Sequence, residues 1–181
     1  MVAAWLGLAG LVSPSSAAAS PDLAPRADCM LVYGHGRNMD ERTPKANALW
    51  NELNQIFNQA VAREVVARGR RSLPMVLPVE DRDLQAHTER LLAAARAEGC
   101  HQVLETTVFG DPATELLILR LRVHDIVRPA GPPKLDSGLG IGAARSTVQR
   151  ELPLSARSLE RLGGADLVRQ MTTEVLGHDD R

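Results

Sequence analysis

Between Thr43 and Gly69 the apolar residues Leu49, Leu53, Ile56, Phe57, Ala60, Val61 and Val65 recur at steps of three and four, the period of an α-helix with one buried side. Thr43 ahead of Pro44 supplies a capping hydroxyl and a proline at the first helical position, and Gly69 after Arg68 supplies a stop. Asp81 to Glu98 repeats the signature with Leu84, Leu91, Leu92 and Ala95, and ends at Gly99. A final helix is expected from Ser158, with Leu159, Leu162, Leu167, Val168, Met171 and Val175 along one side and Gly163-Gly164 as a weak point in its first turn.

The strands carry a different period. Leu117, Leu119, Leu121 and Val123 alternate with Arg120, Arg122 and His124, so Thr114 to Arg128 is a long strand with one core face. Gly110-Asp111-Pro112 is a turn that joins it to His101–Phe109 as an antiparallel hairpin. Arg145 to Leu152 alternates again, with Val148 and Leu152 inward. Met30-Leu31-Val32-Tyr33 and the proline-containing run Ser72 to Val79 complete the strands. The Pro- and Gly-rich stretch Pro129 to Gly142 is expected to be a loop. The order is β-α-β-α-β-β-β-α, an α/β fold with helices packed on a mixed sheet and the first strand between the second and third.

At 181 residues, 44% hydrophobic and 24% charged, the chain suits one domain. The net charge of -1 gives no global field for nucleic acid. Residues 1–19 read as a signal peptide, from the uncharged run Val2 to Val12 and the small residues Ala17-Ala18-Ala19. A flexible leader over 20–28, a domain over 29–177 and a tail over 178–181 follow. The expected compartment is periplasmic or extracellular.

In an oxidising compartment Cys29 and Cys100 can pair. Each stands just before an apolar run, and if those runs are neighbouring parallel strands both thiols lie at one end of the sheet. The alternative is two small buried residues.

Candidate chemistry is sparse. Gly34, His35, Gly36 and Arg37 follow the first strand, where glycines let backbone amides approach a ligand; the alternative is an ordinary loop, since the GK[ST] ending and GxGxxG spacing are missing. The five histidines form no HxH or HExxH pattern, and no serine stands in a GxSxG elbow. No metal, no cofactor and no catalytic centre are expected. Asn47, Asn51, Asn54 and Asn58, with Gln55 and Gln59, form an uncharged amide side of the first helix, read either as a partner-binding stripe or as a solvated face.

The segment Gly99 to Arg128 resembles a group of bacterial envelope domains that includes the curli secretion lipoprotein CsgG, LpoB and the amino-terminal domain of TolB. The resemblance lies in Gln102-Val103-Leu104-Glu105-Thr106 followed by an alternating strand, Leu117 to Asp125, that ends in an acid. It implies a non-enzymatic protein that binds an envelope partner or itself. Arg26-Ala27-Asp28 ahead of Cys29 is no lipobox, so no stable membrane anchor is expected, and Ile126-Val127-Arg128-Pro129 stands where the group has a glycine-containing turn. A small-ligand protein or hydrolase using the His35 loop is the alternative.

Overall fold

The structure, a computed structural model, describes residues 28–36, 43–81, 83–111, 113–130 and 138–177. The expected signal peptide, most of the leader and Arg37 lie outside them. Five strands and four helices follow in the order β1 Cys29–His35, α1 Pro44–Ala67, β2 Arg71–Val76, α2 Leu84–Glu98, β3 Cys100–Asp111, β4 Leu116–Val127, β5 Gly140–Pro153, α3 Ala156–Glu160 and α4 Ala165–Gly177. The sheet runs β2-β1-β3-β4-β5. β1 is parallel to both β2 and β3, and β3-β4-β5 is an antiparallel meander.

The expected mixed sheet and the place of β1 between β2 and β3 are both present. α1 and α4 pack on one face, where Met30, Val32, Leu104, Val108 and the Leu117–Val123 alternation meet Phe57, Val61, Val168 and Met171. α2 packs on the other, against Leu31, Val103 and the cysteine pair through Leu91, Leu92 and Ala95. The two crossover helices therefore sit on opposite sides, and α2 covers only the β2-β1-β3 part of its face.

Local chemistry sets the helix ends. Thr43 Oγ1 accepts from the Ala46 amide at 3.2 Å, and the α2 cap is Asp83, whose Oδ1 accepts from the Ala86 amide at 2.9 Å. Gly69 and Gly99 take positive φ at the two stops, 79° and 69°, a backbone that disfavours a side chain.

Four expectations are corrected. Leu49 and Ile56 are exposed, and Trp50 is buried in their place, because the buried arc of α1 is turned toward Trp50, Asn54 and Asn58. The last helix is two: Ser155, not Ser158, caps α3, and the chain turns at 161–163 before α4. β5 starts at Gly140, inside the expected loop, where Gly140 pairs with Val127 and Ile141 with Ile126. Within the amide stripe of α1, Asn54 and Asn58 are buried and do not face solvent, as shown below.

Candidate functional site

β1 leads to β2 on one side and, by way of α2, borders β3 on the other, so its carboxyl end is a topological switch point, where α/β sheets commonly hold ligands. Gly34, His35 and Gly36 stand there. The two glycines are needed for packing rather than for exposing amides. A Cβ on Gly34 would lie 3.0 Å from Asn58 Nδ2 and 3.1 Å from Thr106 Oγ1, and one on Gly36 would fall 1.7 Å from the Val108 carbonyl oxygen. Gly36 also has φ of 151°.

The same end of β1 draws in the α1 amides. Asn58 is fully buried and its Nδ2 donates to the Val32 carbonyl at 2.9 Å, the Met75 carbonyl at 3.3 Å and Thr106 Oγ1 at 3.3 Å. It thus ties α1 to β1, β2 and β3. Asn54, also buried, donates to the Gly36 carbonyl at 2.8 Å. Asn51 accepts from the Val79 amide at 2.8 Å and donates to Glu80 at 2.9 Å. The reading of Asn51, Asn54 and Asn58 as an outward partner-binding stripe is therefore corrected. These residues satisfy backbone groups at strand ends, which buried polar atoms require. Asn47 is half-buried, and Gln55 and Gln59 are exposed.

On the face shared with α2 a charged cluster surrounds Glu105, which is 8% exposed. His35 Nε2 lies 2.5 Å from Oε1, Arg122 Nη2 donates to the same oxygen at 2.5 Å, and His124 Nε2 lies 3.1 Å from Oε2. Bonds from His35 and Arg122 outweigh burial and hold the Glu105 carboxyl well below the usual carboxylate range. His124 Nδ1 lies 2.9 Å from the Gly142 carbonyl oxygen. Each ring nitrogen of His124 thus faces an oxygen.

Tyr33 links this cluster to α2, with ring centroids 5.4 Å from His35 and 5.5 Å from His87. Burial, with the charges of Glu105 and Asp81 adding to it, pushes the Tyr33 phenol up to about 12. His87 is buried, and its ring is held below the usual imidazole value by that burial and by Arg90.

Sequence reasoning placed Arg120, Arg122 and His124 on one face and missed Glu105 as the partner of Arg122 and His124. The hairpin turn held the signal: the pairing sets Glu105 opposite Arg122 and Thr107 opposite Arg120. Among the described residues, no three His, Cys, Asp or Glu side chains are grouped to hold a metal ion, and no helix is long and apolar enough to cross a membrane.

The expected bridge is present: Cys29 and Cys100 are disulfide-bonded with Cα atoms 4.4 Å apart. β1 and β3 start side by side, with Cys29 and Cys100 as register partners.

No protein-family model and no curated protein matches the chain. Among solved structures it is similar to the PelC dodecamer from Paraburkholderia phytofirmans, at 15% identity over 84% of this chain and 87% of that chain, with a TM-score of 0.39. The lipoprotein GNA1162 from Neisseria meningitidis matches at 13% identity over 84% of this chain and 96% of that one, TM-score 0.40. The LpoB C-terminal domain from Salmonella enterica matches at 12% identity over 73% and 87%, TM-score 0.31. At such identities no site residue is transferred from any of them.

Proposed function

We propose that the chain is an exported, non-enzymatic module of the bacterial envelope that holds a protein partner, or a further copy of itself, on the β3-β4-β5 part of the sheet. One observation carries this reading: among the described residues, α2 leaves that part of its face uncovered and β5, 14 residues long, borders only β4. An unpaired strand edge is a ready template for another chain. The opposite edge is closed by different means, since β2 is 6 residues long and carries Pro74 in mid-strand. The apolar run before Ala17-Ala18-Ala19 and the Cys29–Cys100 bridge agree with export to an oxidising compartment.

The hydrolase alternative draws no support from the His35 loop. Gly34 and Gly36 are closed against Asn58 and Val108, and His35 Nε2 is engaged by Glu105.

The test is a photocrosslinking side chain placed at Gln149 on the open face, with Arg157 on α3 as the control position, in a full-length chain expressed in a bacterium with an outer membrane. An adduct that forms from position 149 and not from 157, with a defined protein or with the chain itself, is the expected result. A folded chain that sediments as a monomer and gives no adduct at 149 overturns the proposal.

A further inference from the structure

Around Glu105 and Arg120, on the part of the sheet face that no described helix covers, buried hydrogen-bond donors outnumber the free acceptors. Both Glu105 oxygens are occupied, Oε1 by His35 and Arg122 and Oε2 by His124. Beside them, Arg120 Nε, Arg122 Nε and Thr107 Oγ1 are buried without a partner among the described residues. Thr107 is 3% exposed. Thr107 stands directly opposite Arg120 in the β3-β4 pairing, and Glu105 and Arg122 form the next pair on the same face, so the unmatched groups are cross-strand neighbours.

Arg120 is the centre of the surplus. No carboxylate pairs with it among the described residues; its guanidinium lies 6.0 Å from the centroid of the Phe109 ring. The ring restrains the guanidinium plane without neutralising its charge. On its other side its register partner in β5, Gln149, is exposed and its Nε2 donates to Glu151 Oε1 at 2.9 Å.

Unmatched donors around an unneutralised cation call for a ligand that brings only acceptors and a negative charge. A carboxylate does so, and its two oxygens fit the fork of a guanidinium. We propose that Arg120, with Thr107, forms a carboxylate-binding site for an acidic side chain of the protein that docks on the open β3-β4-β5 face. This rests on the reading of that face as an interface and adds the chemistry its partner must carry. Glu105 does not repel the incoming acid in proportion to its charge, because Arg122 and the two histidines already surround it.

The experiment uses the full chain and three probes at equal ionic strength: hexaglutamate, hexaglutamine and a polyuronic acid. Binding is followed through the ¹⁵N signals of the arginine Nε–H groups. The expected result is saturable binding of hexaglutamate alone, with the Arg120 Nε–H signal moving most. Arg120→Met should weaken it about tenfold or more, the loss of a charge-assisted pair. Arg120→Lys should retain only part of the affinity, since an ammonium lacks the fork. Thr107→Val, which keeps the side-chain shape, should weaken it severalfold, and Arg63→Met, which removes the same charge from exposed α1 surface, should leave it unchanged.

Equal loss in Arg63→Met and Arg120→Met means attraction by overall charge, and overturns the site. Binding of the polyuronic acid without hexaglutamate overturns it in favour of a polysaccharide. If Arg120→Met still forms the position-149 adduct in cells with unchanged yield, the carboxylate site falls while the interface stands. If neither adduct nor peptide binding is seen in the parent, both fall.

Discussion

Replacing Asn58 by an aspartate changes one NH2 group to an oxygen and keeps the size of the side chain, so it isolates the donor. In the folded protein that group is fully buried and faces the Val32 carbonyl, the Met75 carbonyl and Thr106 Oγ1. An ionised carboxylate there would meet two carbonyl oxygens that cannot donate. The folded state must therefore hold the new acid neutral, with its O–H replacing one of the lost donors. Two N–H donors serving three acceptors become one O–H, and at least one carbonyl is left bare, at a cost of about 1–3 kcal/mol even when the acid is protonated.

The pH dependence carries the stronger signature. The folded pKa of the new acid is raised above its unfolded value near ~3.9, so stability is retained below that value and lost as pH rises toward the folded pKa. The slope is about 1.4 kcal/mol per pH unit. Between roughly pH 4 and pH 7 it removes up to about 4 kcal/mol beyond the initial loss, a large share of an ordinary domain's stability. Asn58→Ala loses both donors and should cost about 2–4 kcal/mol at any pH in this range. Urea unfolding followed by circular dichroism at pH 4.5 and pH 7 reads both. If Asn58→Asp matches the parent at pH 7, Asn58 is on the surface and the inward packing of α1 described above is wrong.

Two further outcomes follow from the same structure. Denatured, unreduced protein should show no titratable thiol, and reduction should lower stability by about 4 kcal/mol for a loop with a sequence separation of 71; two thiols in the unreduced chain would refute the bridge. Because the Glu105 carboxyl is depressed in the folded state, its contribution is full above the unfolded carboxylate value near ~4.3 and falls away as pH drops below it. Glu105→Gln should therefore be less stable than the parent at pH 6 and should flatten the acid limb in thermal melts between pH 5 and pH 3, whereas parallel limbs would contradict the cluster.

The alternation of Leu117 to Val123 and the periodicity of α1 made the sheet and the first crossover legible, because each side chain's burial there follows the local period. Placement of the cysteines before two strands disclosed the bridge for the same reason. The amides of α1 misled because the period says which residues share a face but not how wide an arc the partner sheet covers. Asn54 and Asn58 lie at the border of that arc, where strand ends supply bare carbonyls that an apolar side chain could not satisfy. Gly34 and Gly36 were equally opaque, since their contacts come from Asn58 and from Val108, far along the chain. Glu105 required the register of the hairpin as well as the identity of its residues.

The position of β1 has a consequence for the order in which the chain acquires its structure. The β3-β4-β5 meander joins residues that are close in sequence, so it can assemble early at little entropic cost. β1 pairs on both sides with strands that arrive only after one or two helices have crossed over. Its insertion is the step burdened by long-range closure, and until it occurs the β3 edge stands open to other chains. The Cys29–Cys100 bridge joins the first residues of those two strands. An oxidised chain therefore starts folding with its slowest encounter already made.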